Sequence, residues 1–144
     1  MNDPSQQPGY LFAGVRLLGA DYRLTSDSPP GVKGDLDVNY EDQVEVHGPE
    51  VRIRQTLKVR ILDAADKSRT HLQLRVEVEG RFTSHPGANL TLDDFAQNHA
   101  PAILFPFTRE WVARLTSAAT PWPSVLIPPL NVLQLRRGQA KPTQ

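Results

Sequence analysis

Apolar and polar residues alternate strictly over 51–61: Val51, Ile53, Leu57, Val59 and Ile61 interleave with Arg52, Arg54, Thr56, Lys58 and Arg60, and Gln55 is the one polar residue in the apolar register. Successive strand side chains point to opposite faces, so this pattern predicts a strand with one dry and one wet face. The run 71–79 repeats it, with Leu72, Leu74, Val76 and Val78 set between His71, Gln73, Arg75, Glu77 and Glu79. The polar stretch DAADKSR between them supplies a turn, so 51–61 and 71–82 are expected to form an antiparallel hairpin. Pairing about residues 65–66 sets Arg54 opposite Glu77 and Arg52 opposite Glu79. Weaker alternation runs through 11–25 (Val15, Leu17, Tyr22, Leu24, interrupted at Gly19) and through 36–46 (Leu36, Val38, Tyr40, Val44, Val46). Four antiparallel strands are expected before residue 85.

Beyond residue 90 the apolar period lengthens. Thr91 and Asp94 have the spacing of a capping box for a short helix over 92–97. Pro101 suits the first turn of a longer helix, about 101–118. Within it Leu104, Phe107 or Thr108, Trp111 and Leu115 recur at three- and four-residue spacing and are expected to face the sheet. Phe105 and Val112 widen the stripe towards a second contact, and Pro106 is expected to bend the helix start. Strands first and helices second predict an α+β fold: a four-stranded antiparallel sheet with a short and a long helix on one face.

The length of 144 residues points to one domain, placed at 11–135 between polar tails at 1–10 and 136–144. Cysteine is absent, which removes thiol chemistry and fits a reducing compartment. The longest apolar stretch, Ala102–Phe107, is far short of the roughly 18 residues of a membrane helix. The start of the chain has no basic region followed by an apolar run, so a cytoplasmic protein without a secretory leader is expected. Net charge is zero but uneven: residues 1–50 carry nine acids against three bases, and residues 51–82 eight bases against four acids. The histidines at 47, 71, 85 and 99 have no metal-ligand spacing, and there is no Gly-rich phosphate loop or GxSxG element. No enzyme activity, metal or cofactor is expected.

The stretch Ala100–Leu135 resembles the C-terminal half of the export chaperone SecB. The resemblance rests on Ile103, Leu104, Phe105, Pro106, Phe107, Arg109 and Glu110, then Pro123, Leu126, Pro129 and Asn131. LQLRVEVEGRF, with Gly80 and Phe82, is similar to the family's third strand, and RLLGADYRL to its first. The resemblance implies an ATP-independent holdase for unfolded chains, assembled as a homotetramer, a dimer of dimers. It implies an oligomer interface at Leu104, Phe105, Phe107, Trp111 and Val112. It also implies a client groove with Leu36, Val38, Tyr40 and Val44 on one side and Leu130, Val132 and Leu133 on the other. Non-directional apolar contact in such a groove tolerates many client sequences.

Two departures from the export type bear on partners. Family members that dock the motor ATPase SecA present acids on the outer sheet face. Here Asp21 matches one such position, Thr25 stands where another acid is expected, and Arg75 replaces a glutamate beside Glu77. With Arg52, Arg54, Lys58, Arg60 and Arg75 against Glu77 and Glu79, that face reads as positive, and SecA docking as weakened. The long polar tail of the export proteins is also missing. SecB-like proteins that protect an antitoxin of a toxin–antitoxin module are therefore the alternative. The basic stripe raises nucleic-acid binding as a further reading. It is disfavoured, because no aromatic residue is interleaved on that face and cross-strand acids answer the bases.

Overall fold

The computed structural model describes residues 10–25, 32–84, 91–119, 122 and 125–127. Four strands, β1 (Tyr10–Leu24), β2 (Gly34–His47), β3 (Glu50–Asp63) and β4 (Thr70–Ser84), precede two helices, α1 (Leu92–Asn98) and α2 (Ala100–Thr116). The strands form one antiparallel sheet in the order β1-β4-β3-β2. β2, β3 and β4 make a meander, and β1 returns to pair with β4, so β1 and β2 hold opposite edges. The segment likened to the family's third strand is the fourth in this chain.

The alternation read from the sequence sets the faces. Val51, Ile53, Leu57, Val59, Leu72, Leu74, Val76, Val78 and Phe82 are buried on the helix side. A two-residue turn at Gly48–Pro49 joins β2 to β3, with Gly48 at φ 57, the left-handed region that primed hairpin turns use. The β3–β4 turn is built by carboxylates. Asp63 accepts the N–H groups of Ala65 and Asp66, each at 2.9 Å, and Asp66 accepts the Ser68 N–H at 3.1 Å.

This turn moves the register from the one expected. Arg54 lies opposite Glu79 and Arg52 opposite Arg81, while Glu77 faces Thr56. A bulge between Ile61 and Leu62 and the wide Asp63–Arg69 closure, 2.9 Å from N–H to C=O, shift the pivot towards β4.

α1 starts as its spacing predicts, with Thr91 Oγ1 accepting the Asp94 N–H at 3.1 Å. The helical segment bends at His99, between α1 and α2, rather than at Pro106. Pro101 accounts for the position: it has no N–H to give the carbonyl four residues back and its ring opposes that carbonyl, so the helical ladder is interrupted just before it, at His99. Pro106 lies inside α2 with its ring exposed.

The face that α2 turns to the sheet also differs from the expectation. Ala100, Pro101, Leu104, Phe105, Thr108, Val112 and Thr116 are buried, whereas Phe107 is exposed and Trp111 and Leu115 are half-buried. Two inward threonines explain the rotation. Thr108 Oγ1 donates to Gln55 Oε1 at 2.8 Å. Thr116 Oγ1 donates to the Val112 carbonyl and accepts the Val125 N–H, both at 2.8 Å. Gln55 needs partners inside the core, and this face of α2 supplies the Thr108 hydroxyl to its amide oxygen.

Candidate functional site

Gln55 anchors the helix layer over β2 and β3. Its Nε2 donates to the Pro101 carbonyl at 2.7 Å and to Tyr40 Oη at 2.9 Å, and Tyr40 in turn donates to Asp42 Oδ2 at 2.6 Å. Tyr40 also packs edge-on to Phe105, ring centres 5.9 Å apart. It is only 1% exposed, so this predicted groove residue belongs to the core and presents nothing to a client. The rest of the predicted β2 row stays reachable: Leu36 is 50% exposed, and Val38 and Val44 are half-buried. Val46, 46% exposed, extends the row by one position. The same period-2 pattern marks Val46, but the sequence reading stopped one position short. Leu130, Val132 and Leu133 lie outside the described residues.

A second apolar surface lies across the fold. α2 packs mainly over β3 and β4 and leaves the inner face of β1 largely bare. Phe12, Val15 and Tyr22, in register with Phe82, Gly80 and Leu74, are exposed there. Phe12 stacks on Phe82, centres 4.8 Å apart, and meets Phe107 of α2 edge-on at 5.3 Å. Ile103 and Phe107 continue the surface on the helix. Of the expected interface residues, Leu104, Phe105 and Val112 are already buried within the single chain, because the threonine face of α2 points inward. Phe107 and Trp111 are the ones left for a neighbour.

The outer sheet face is a lattice of opposite charges, and here too the expectation changes. β2 adds Asp35, Asp37, Glu41 and Glu45 to this face, and β1 adds Asp21 along with Arg16 and Arg23. With the Glu50–Arg81 pair counted, bases and acids match, so the face is not positive. Counting only the central hairpin missed its two neighbours. Arg60 binds Asp37 at 2.6 Å, Arg16 binds Glu79 at 2.9 Å, and Glu50 holds both Arg81 (2.6 Å) and Arg52 (3.3 Å). Those two guanidinium contacts, Arg81 first, hold the Glu50 carboxyl below the usual carboxylate range. Arg75 stands opposite Asp21 in register and 3.6 Å from Glu77. A cleft of about 500 Å³ opens on this face, lined by Asp21, Arg23, Lys58, Arg60 and Arg75 among others. Like-charge repulsion of a cationic partner has no basis on a balanced face.

His71 is buried with Nε2 2.9 Å from Asp63 Oδ2, at the base of the β3–β4 turn. That contact, after the Asp66 N–H and ahead of the Ala65 N–H, holds the Asp63 carboxyl below its ordinary range. Among the described residues no group of three His, Asp or Glu side chains is placed to hold a metal ion. No helix among them is long and apolar enough to cross a membrane.

A four-stranded antiparallel sheet with one bent helical segment on its inner face defines a small α+β fold, with two apolar surfaces exposed among the described residues. The chain belongs to the SecB family: residues 18–142 match the family described as preprotein translocase subunit SecB. An uncharacterized protein of Methanocaldococcus jannaschii, MJ0357, is 30% identical over 98 residues, which are 67% of this chain and 63% of that relative. This chain thus aligns with somewhat under two thirds of that protein. Among solved structures, the Mycobacterium tuberculosis SecB-like chaperone Rv1957, in complex with a ChAD peptide from the HigA1 antitoxin, superposes with a TM-score of 0.71. The match covers 85% of this chain and 91% of that one at 20% identity, a likeness of fold.

Proposed function

We propose that this protein is an ATP-independent holdase that binds unfolded or aggregation-prone polypeptides. One observation carries the reading: on a SecB-family sheet, the β2 row Leu36, Val38, Val44 and Val46 stays accessible beside a packed helix layer. An uncovered apolar row takes up extended chain segments by removing apolar area from water, at about 25 cal/mol per Å², without fixing their sequence. The second apolar surface, with Phe12, Phe107 and Trp111, supports self-assembly towards a homotetramer. Its aromatic side chains are the kind that dominate protein interfaces. The absence of cysteine fits work in a reducing cytoplasm. No catalytic step and no cofactor is assigned, and no contact with a SecA-type motor. The antitoxin-bound relative supports an antitoxin segment as one class of client.

The test is aggregation of a chemically unfolded reporter protein followed by light scattering. Equimolar or lower amounts of this protein are expected to slow aggregation equally with and without ATP. Unchanged kinetics at a molar excess refute the holdase reading.

A further inference from the structure

The outer sheet face balances its charges as a whole, but not at every point. Register sets two neighbouring rows across it. Arg23, Gln73, Arg60 and Asp37 form one, running from β1 through β4 and β3 to β2, and Asp21, Arg75, Lys58 and Asn39 form the next. Residues two apart on a strand share a face and lie about 7 Å apart, so the two rows are adjacent on the same side. The cleft of about 500 Å³ opens over them, and four cations line it, Arg23, Lys58, Arg60 and Arg75, against the one carboxylate of Asp21.

Lys58 and Arg75 stand directly opposite each other on β3 and β4. Like charges in that relation destabilise a sheet. The same face holds a second such pair, Arg52 and Arg81, and there the chain supplies an anion: Glu50 lies 3.3 Å from Arg52 and 2.6 Å from Arg81. Among the described residues no carboxylate fills that place between Lys58 and Arg75. The acids beside them stand to the flank, Glu41 3.9 Å from Lys58 and Glu77 3.6 Å from Arg75, both beyond hydrogen-bond reach. Arg60 gives Nε and Nη2 to Asp37, which leaves Nη1 for another acceptor. Arg23 forms no ion pair among the described residues.

We propose that this cleft binds a condensed phosphate, a diphosphate unit, in the place that Glu50 fills at the other like-charged pair. One phosphoryl group bridges Lys58 and Arg75, and the second reaches Arg23 and Arg60 in the neighbouring row. Guanidinium forks give paired hydrogen bonds to phosphate oxygens, which suits the three arginines. A single phosphate serves one row only. No aromatic side chain lines the cleft among the described residues, so a nucleoside carried on the diphosphate finds no ring to stack on. Asp21, at the β1 end of the Lys58 row, repels the ligand and limits its affinity. The cleft lies on the face opposite the apolar row of β2, so the proposal stands apart from the holdase reading.

The test is calorimetric titration of the full chain at low ionic strength, where exposed charges are least screened. Pyrophosphate is expected to bind one per chain, with orthophosphate about tenfold weaker and ADP within about threefold of pyrophosphate. Lys58→Gln/Arg75→Gln should lower pyrophosphate affinity at least about tenfold, whereas Arg52→Gln/Arg81→Gln, the same change in net charge at the pair already bridged by Glu50, should alter it less than about twofold. Asp21→Asn should raise affinity about threefold, a gain that misfolding does not imitate. In the unsubstituted protein, amide resonances of residues 21–23, 58–60 and 73–75 should shift first on adding pyrophosphate. No binding at about 10 mM pyrophosphate, equal losses from the two double variants, or equal affinity for orthophosphate overturns the proposal. ADP binding about tenfold tighter than pyrophosphate would overturn recognition by the diphosphate alone.

Discussion

Gln55 is the residue on which the helix layer turns. As a polar interruption in an apolar strand it looks like a defect, yet its amide is satisfied by Pro101, Tyr40 and Thr108. Gln55→Leu is expected to cost about 1–3 kcal/mol, since it strands the Thr108 hydroxyl and removes the donor to the Pro101 carbonyl. Urea denaturation of Gln55→Leu, Thr108→Val and the double variant checks this. The double variant should lose less than the sum, and strict additivity would break the proposed link. Asp63 acts at the same scale through pH. Its folded carboxyl lies below the ordinary value, so its stabilisation is complete above the unfolded value near about 3.9 and fades as pH falls through the folded one. Asp63→Asn should therefore be less stable than wild type near pH 7, with the gap closing towards about pH 3. A gap that stays constant over that range would remove the ionised Asp63 from the account.

At the scale of elements, the contact between α2 and β4 depends on how closely the helix approaches Gly80. A Cβ at that position would lie 2.9 Å from Leu104 Cδ1 and 3.2 Å from Cδ2, and Leu104 is fully buried. Gly80 is thus required by space rather than by backbone conformation. Gly80→Ala is expected to destabilise by about 1–3 kcal/mol through overpacking. In a Leu104→Ala background the same change should cost less, because the truncated side chain leaves room. Thermal or urea melts of the three variants decide it, and an undiminished penalty in the double variant would place the strain elsewhere.

For the whole molecule, the apolar surface of β1 and α2 is the proposed site of self-assembly. Phe12, Ile103 and Phe107 form it together, two rings in edge contact at 5.3 Å. Phe107→Asp sets a charge at the centre of that surface while leaving the buried face of α2 untouched. It should lower the oligomeric mass measured by light scattering and leave the monomer folded by circular dichroism. An unchanged mass would refute self-assembly through this surface. The balanced outer face makes no comparable demand for cover, since its charges are answered across neighbouring strands.

The strands, their faces and the cap at Thr91 were legible in the sequence because each depends on spacing within one segment. Period-2 alternation fixes a strand's two faces before any partner is known, and the Thr91–Asp94 contact spans three residues. The resemblance at Ile103–Glu110 likewise belongs to one contiguous stretch. What tertiary structure decided involves partners distant in sequence. α2 is apolar enough on two sides that its own pattern could not choose between them, and Gln55 on β3 and Val125 beyond the helix made the choice. That choice took Phe105 and Val112 into the core and left Phe107 outside. Tyr40 left the groove for the same reason, its hydroxyl drawn inward by Gln55. The charge of the outer face could not be counted until strand order placed the acids of β2 beside the bases of β3. Local periodicity determines which side of an element is wet, while only packing determines which neighbour it meets.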